Sequence, residues 1–227
     1  MTARDGGPAR RTSGDRVRPD PVEAAATTDR REQILQTAQK LFADKGFRGT
    51  SLDDVAKQLG FRQQAVYHYF RSKEEILYEL IDRAGQAIAT SAQLTMDTDM
   101  PPTDKLAEIV RNHVRQLLNN IDIFRIQFSE LFKLHGDRAD GLRRDMFDYV
   151  RDVADVIEAG QRAGAFVDVP PTTEALLILG MCNGTTDWYG SSQSNLNVEE
   201  IADYAARMAL SGLTGGDRLD AKVVRQR

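Results

Sequence analysis

Glutamine, tyrosine, histidine and basic side chains are concentrated between residues 62 and 73. Glutamine amides can hydrogen-bond base edges in the major groove of DNA, and basic or hydroxyl groups can donate to phosphate oxygens. In a helix with Val66 facing the core, Gln64, Tyr67 and His68 lie on the opposite side at about 100° per residue. The candidate DNA-contacting residues are Thr50, Ser51, Arg62, Gln63, Gln64, Tyr67, His68, Arg71 and Lys73. Each of them alone also fits a solvated helix surface, so the prediction depends on the whole group.

Two short helices joined by a tight turn must position this group. Ser51, followed three residues later by Asp54, predicts the start of one helix, and Gly60 predicts its end. The next helix must begin almost at once, and its polar face stays free. This arrangement describes a helix-turn-helix. Thr50 and Ser51 would then lie at a helix N-terminus, where backbone N–H groups favour phosphate.

Longer helices flank the pair and continue into the rest of the chain. A first helix is expected to start at Thr28 or Asp29 and to close at Lys45 and Gly46. Ser72 and Glu75 open a long fourth helix that reaches to about residue 94. Five more segments have the helical period and none alternates as a strand would, so the fold is all-α.

The pattern divides the chain into four parts: a disordered arm at 1–27, a helix-turn-helix DNA-binding head at 28–74, an effector-binding and dimerisation body at 75–214, and a tail at 215–227. The head is thus three helices, and the body is a larger helical bundle. The net charge of -4 hides a difference between them, since residues 27–74 carry +3 and residues 75–227 carry -8. A basic segment on an acidic body is the pattern expected if one end of the protein approaches a polyanion. A net charge of +3 over such a segment also occurs by chance, so the charge alone does not decide.

Several function classes are disfavoured by the composition. The apolar run at 175–186 is about a dozen residues, short of the roughly 20 that span a bilayer, and no apolar run follows the N-terminal arginines, so we expect a cytoplasmic protein without a membrane partner. The single cysteine, Cys182, is expected to be a small buried hydrophobe. With no paired cysteines, no H-E-x-x-H segment and no glycine-rich phosphate loop, we expect no metal, no cofactor and no enzyme activity.

Ile34 to Leu80 contains three motifs in order: A-x-x-L-F-x-x-x-G-F, T-S-x-x-D-V-A and V-Y-H-Y-F-x-S-K-E-E. This segment resembles the N-terminal domain of TetR-family transcriptional repressors. The resemblance implies an all-helical homodimer with a DNA-binding head and a body that binds a small effector. It also implies phosphate contacts for Thr50, Tyr67, His68 and Lys73, and base contacts for Arg62, Gln63 and Gln64. The family often has a small residue where this chain has Gln64, so the base preference is not carried over.

The body resembles one subgroup of that family, which represses lipid or steroid breakdown and responds to acyl-CoA thioesters. The resemblance rests on Q-R-A-G-A-F at 161–166 and on G-M-C-N followed by D-W-Y at 180–189. Residues 190–194 lack the basic residue often found after the tryptophan, so they offer no partner for CoA phosphates at that point. A different hydrophobic or drug-like effector is the alternative.

Five aromatic residues and one methionine form the candidate effector site: Phe124, Phe128, Phe132, Met146, Tyr149 and Trp188. The same side chains could equally form a filled core, as expected for an architectural DNA-binding protein without an effector. The run Ala175 to Cys182 is apolar on all sides, which predicts a homodimer through the last two helices. The fourth helix joins head and body, so it is the expected lever between effector and operator DNA.

Overall fold

The computed structural model describes residues 21–133, 135–191 and 194–215, and within these ranges the chain forms helices and loops without a strand. The side chains of residues 21–28 and of Phe132 lie outside this description. The helices are α1 Pro21–Lys45, α2 Leu52–Leu59, α3 Gln63–Tyr69, α4 Lys73–Met96, α5 Pro102–Asn119, α6 Ile121–Glu130, a 3-10 turn Leu131–Lys133, α7 Asp137–Arg162, α8 Pro171–Trp188 and α9 Val198–Leu213. The all-α prediction is confirmed.

Helix α2 begins and ends at the predicted residues. The Ser51 hydroxyl accepts a hydrogen bond from the backbone N–H of Asp54 at 3.2 Å, and the Ser51 N–H donates to the Asp54 carboxylate at 2.9 Å. Gly60 ends α2 in the left-handed conformation, with φ of 68°, which glycine adopts without steric cost. Only three residues separate α2 from α3, as a helix-turn-helix requires.

Helix α1 starts earlier than its capping signal predicts. It begins at Pro21, whereas Thr28 or Asp29 was the expected first residue. Proline suits the first turn of a helix, and the three alanines at 24–26 are strong helix formers, so the helix continues through the proposed cap. Residues 1–20 of the expected arm and residues 216–227 of the expected tail lie outside the described residues.

Two hydrophobic cores hold the molecule together. The head core includes Phe42, Val66 and Phe70, each at most 1% exposed. The body core is built mainly on α5, which packs against α9, α4, α8 and α7. Burial of each large apolar side chain contributes about 1.5–3 kcal/mol before the entropy of ordering is subtracted. Each core is therefore large enough to fix the elements around it.

Helices α4 and α6 belong to both cores. The first turns of α4 bury Ile76 and Leu77 in the head core, and its later turns bury Ile88 in the body core. Helix α6 contributes Ile123 and Ile126 to the head core, although it lies about 45 residues further along the chain than the head. The boundary at 74/75 is therefore not a break in packing.

The turn after α7 is tightly packed. Gly160 accepts hydrogen bonds from the backbone N–H groups of Ala165 and Phe166 at 2.9 and 3.2 Å. The Phe166 ring folds back onto Gly160 so closely that a Cβ there would lie 2.0 Å from Phe166 Cδ2. Only glycine fits at this position without movement of the ring.

Candidate functional site

The polar face of α3 is free, as the sequence predicts. Val66 is buried, whereas the side chains on the other side and at the ends of the helix are exposed. We call this set the recognition surface: Arg62, Gln63, Gln64, Tyr67, His68 and Arg71. Tyr67 is 46% exposed despite its ring, and His68 touches the edge of Tyr69 at 5.3 Å between ring centroids. The surface thus presents amide, hydroxyl, imidazole and guanidinium groups together.

Thr50 does not belong to this surface, which corrects the prediction of a phosphate-contacting side chain. It is 2% exposed, and its hydroxyl lies 3.1 Å from the Leu41 carbonyl oxygen and 3.0 Å from that of Gly46. The hydroxyl is therefore used to hold the end of α1 against the start of α2. Ser51 beside it is exposed, but its hydroxyl is engaged with the Asp54 carboxylate at 2.6 Å.

Lys73 is also placed differently from the prediction. Its ammonium donates to the carbonyl oxygens of Phe47, Arg48 and Thr50 at 2.8, 3.2 and 2.9 Å, and it lies 4.8 Å from the centroid of the Phe47 ring. An ammonium has three N–H donors, so all of them are used within the protein. Lys73 braces the loop between α1 and α2, and a phosphate would have to compete with these carbonyls.

A cavity of about 660 Å³ that is open to solvent on one side lies between α4, α5, α6, α7 and α8. We call it the body cavity. Of the six predicted effector residues, four line it, namely Phe124, Phe128, Met146 and Tyr149. Its size falls in the range of small-molecule sites. Phe124 and Tyr149 line this cavity and also belong to the buried body core.

Trp188 does not line the body cavity, which corrects its assignment. The cavity-facing stripe of α8 is Leu176, Leu179, Gly180 and Asn183. Trp188 follows in the last turn of the helix, where it packs partly buried against the body core. The side chain of Phe132, the sixth predicted residue, lies outside the described side chains.

A buried polar cluster lines one wall of the cavity. His113 Nε2 lies 3.0 Å from Asn183 Oδ1, and His113 Nδ1 lies 3.1 Å from the Tyr149 hydroxyl. Desolvation lowers the pKa of His113 to about 4, so the ring is neutral at pH 7. Because Asn183 Oδ1 only accepts, Nε2 carries the proton and Tyr149 donates to Nδ1. The Tyr149 oxygen keeps a free lone pair.

Four carboxylates line the same cavity: Asp82 on α4 and Asp145, Asp148 and Asp152 on α7. Burial raises the pKa of Asp152; the nearby Arg151 guanidinium opposes this effect, and the neighbouring carboxylates of Asp155 and Asp148 add to it. The negative charge of Asp152 is thus energetically costly. Gln127 also lines the cavity and is 9% exposed, and its Oε1 is buried without a hydrogen-bond partner in the described structure.

Helix α6 connects the cavity to the head directly. Phe124, Gln127 and Phe128 face the body cavity, whereas Ile123 and Ile126 are buried in the head core. Helix α4 has the same property, because Ile81 lines the cavity and is also part of the head core. The sequence predicts α4 as the lever, but it gives no indication that α6 also joins the cavity to the head core.

Ion pairs fasten α1 of the head to α4. Arg83 donates to the carboxylates of Glu32 and Glu79 at 2.6 and 2.7 Å, and Arg31 pairs with Glu79 and covers the Phe70 ring at 4.5 Å. Exposed pairs contribute little stability each, but these pairs share Arg83 and Glu79 and form one network between α1 and α4.

The outer faces of α8 and α9 expose large apolar side chains. Leu177 and Met208 are 64% and 63% exposed, and Tyr204 is also exposed beside Arg207. A Cβ at Gly184 on α8 would meet nothing within 4 Å. This is an open surface in the single chain.

No helix in the described part of the chain combines the length and the apolar character that a membrane span needs.

Comparison with known proteins covers both parts of the chain. Residues 34–80 match the family described as bacterial regulatory proteins, tetR family, and residues 99–213 match the tetracyclin repressor-like C-terminal domain. The HTH-type transcriptional repressor KstR2 of Mycolicibacterium smegmatis is 24% identical over 206 residues, which cover 86% of this chain and 95% of that protein.

Solved structures share the fold. The ketosteroid transcriptional regulator KstR2 of Mycobacterium tuberculosis superposes with a TM-score of 0.74 at 22% identity, covering 82% of this chain and 95% of that chain. AibR in complex with isovaleryl coenzyme A and operator DNA superposes with a TM-score of 0.71 at 23% identity, covering 79% of this chain and 97% of that chain. With its head and body both matched in order, the chain belongs to the TetR family of bacterial DNA-binding transcriptional regulators.

Proposed function

We propose that the protein is a homodimeric transcriptional repressor of the bacterial cytoplasm, released from its operator when a small apolar effector enters the body cavity. Residues 28–74 serve DNA binding, and residues 75–214 serve effector binding and dimerisation. The recognition surface enters the major groove, with Gln63 and Gln64 at base edges and Tyr67, His68 and Arg71 towards phosphates.

The observation that carries this proposal is the double burial of α6. One face of the helix contacts the cavity through Phe124 and Phe128, and the other is fixed in the head core through Ile123 and Ile126. A ligand that changes the position of α6 must therefore change the position of the head. In a dimer, the two heads must match half-sites about one helical turn apart, roughly 34 Å, so a small rotation misaligns both. A 100-fold loss of DNA affinity needs about 2.7 kcal/mol of differential effector affinity.

Two effector classes have support. An acyl-CoA thioester is suggested by AibR, which was solved with isovaleryl coenzyme A and operator DNA, and by the likeness of the body to KstR2. A hydrophobic or drug-like ligand without the negative charge of coenzyme A is suggested by the four aspartates at the cavity wall. We propose that the effector is bound and returned unchanged. Burial raises the pKa of the Cys182 thiol to about 12, so this cysteine is not a nucleophile at neutral pH.

The homodimer is proposed to form through α8 and α9. Leu177 and Met208 are largely exposed in the single chain, and a helix pair with such an apolar face is suited to a second copy of itself. Leu177→Glu should convert the dimer to a monomer in light scattering and abolish binding to a two-half-site duplex. An unchanged dimer would place the interface elsewhere.

The test of the function is fluorescence anisotropy of a labelled duplex from the region upstream of the gene, at fixed salt, with a panel of apolar ligands that includes acyl-CoA thioesters. A Gly85→Phe variant fills the cavity from α4, because a Cβ at Gly85 meets nothing within 4 Å and the residue lines the cavity. This variant should bind DNA but lose the response to the active ligand.

Ala87→Phe is the matched control, since Ala87 is exposed on the same helix and does not line the cavity. It should respond as the unmodified protein does. If no ligand alters DNA affinity, or if Gly85→Phe responds normally, the assignment of the cavity as the effector site is wrong.

A further inference from the structure

The polar groups of the body cavity are mainly hydrogen-bond acceptors. Four aspartates lie on its α4 and α7 wall: Asp82, Asp145, Asp148 and Asp152. In the described part of the chain, no lysine or arginine lines the cavity. A cavity of this composition holds an excess of negative charge next to apolar rings.

The four carboxylates are not all neutralised by the protein. Asp148 pairs with Arg151 at 2.8 Å, and Asp82 accepts a hydrogen bond from Gln86 at 3.1 Å. Asp145 and Asp152 form no hydrogen bond or ion pair with the described residues. Burial raises the pKa of Asp152, and Arg151, which lowers it, pairs with Asp148 instead, so Asp152 has no cation in direct contact among the described residues. A ligand cation would supply one.

Two neutral acceptors point to the same ligand chemistry. Gln127, which lines the cavity, has a buried Oε1 that accepts no hydrogen bond, and an unsatisfied buried acceptor costs roughly 1–3 kcal/mol. The Tyr149 oxygen donates its proton to His113 and keeps a free lone pair. A ligand that donates hydrogen bonds would satisfy both groups, whereas a carboxylate, phosphate or thioester oxygen would satisfy neither.

We propose that the body cavity selects a cationic amphiphile, with an apolar portion against Phe124, Phe128 and Met146 and an amine or other positively charged donor against the aspartates of α7. This inference rests on the proposed function and specifies the ligand class of its site. The ammonium gains attraction from several carboxylates, of which Asp82 and Asp152 are partly buried, and charge interactions at partly buried groups are stronger than in water. The phosphates of a CoA thioester meet the same carboxylates with like charge.

The test compares four ligands with the same ten-carbon chain: decylamine, decan-1-ol, decanoate and decanoyl-CoA, all below the concentration at which they form micelles. Binding to the full-length dimer is measured by titration calorimetry at pH 7, and release of DNA is measured by anisotropy. We expect decylamine to bind at least about tenfold more tightly than decanoate or decanoyl-CoA, and to release the DNA.

A variant pair isolates the charge. Asp148→Asn with Asp152→Asn should weaken decylamine binding about tenfold and leave decan-1-ol binding within about twofold. Glu158→Gln is the matched control, because Glu158 is exposed on the same helix, does not line the cavity and does not act on Asp152. It should leave the preference unchanged.

Each outcome decides a different statement. If decanoate or decanoyl-CoA binds as tightly as decylamine or more tightly and releases DNA, the charge preference is wrong and the proposed function stands. If the amine is preferred but the Asp148→Asn, Asp152→Asn variant keeps that preference, these aspartates are not its cause and the inference is overturned. If none of the four ligands binds, the inference is overturned, while the proposed function is decided separately by the wider ligand panel and the Gly85→Phe variant.

Discussion

Replacement of Lys73 by methionine separates two roles that a basic residue can play beside DNA. Its ammonium donates to three backbone carbonyls of the α1–α2 loop, at 2.8 to 3.2 Å. Hydrogen bonds from a charged group contribute about 1.5–3 kcal/mol each when buried, but here the carbonyls are only partly buried and water can replace the donor. We therefore expect Lys73→Met to lower the free energy of unfolding by about 2 kcal/mol, or roughly 4–8 °C in Tm for a chain of this size.

The salt dependence of DNA binding gives the second measurement. Each phosphate contact contributes about -0.9 to the slope of log K against log salt concentration, so loss of one contact per subunit would change the slope for a dimer by about 1.8. Since its donors are used within the protein, Lys73→Met should leave the slope unchanged while affinity falls. Arg71→Ala is the matched control, because this exposed arginine lies on the recognition surface and should change the slope without a loss of stability.

The reasoning would be refuted if the slope of log K against log salt concentration became less steep by about 1.8 while the Tm of Lys73→Met stayed unchanged. Lys73 would then be a phosphate contact, as the family resemblance implies, and its three carbonyl contacts would be dispensable.

Three further changes test other parts of the structure. Gln64→Ala should alter the preferred bases in selection from a random duplex library while binding to random DNA persists, and an unchanged preference would remove Gln64 from the base contacts. Gly160→Ala should cost about 1–3 kcal/mol in urea unfolding, because its Cβ would lie 2.0 Å from the Phe166 ring, whereas Gly141→Ala in the same helix, with its nearest neighbour at 3.8 Å, should be neutral or stabilising. Because burial lowers the pKa of His113 to about 4 from 6.5, the unfolded chain binds more protons between these values. The free energy of unfolding should fall by up to about 3 kcal/mol as pH is lowered through this window, and His113→Gln should flatten that dependence; parallel pH profiles would show that His113 is not its source.

Features that depend on near neighbours in the chain could be predicted from the sequence. The capping pair Ser51 and Asp54 and the left-handed Gly60 act within four residues, and Val66 fixes the buried side of α3 by helical geometry alone. The aromatic residues of the candidate effector site could be recognised, but whether they enclosed a cavity could not, because that depends on how five helices meet.

Features that depend on distant contacts were missed or misassigned. Lys73 binds carbonyls 23 to 26 residues away, and its sequence position beside the recognition surface suggests only an exposed cation. The three α7 aspartates have the spacing of an ordinary solvated helix face, and nothing in their neighbours shows that α4 packs opposite them. Trp188 shares a helix with cavity residues but lies past the last one that faces inwards.

The burial of Ile123 and Ile126 in the head core bears on how such regulators can be recombined. An exchange of heads at residue 74 would bring a foreign surface against these two isoleucines, so a chimera could fold in both halves and still lose communication between them. A productive graft would have to carry the matching contacts of α6 with the head. Among related regulators, we expect the contact between α6 and the head core to be conserved. The residues that face the operator and those that face the ligand are expected to vary independently of each other.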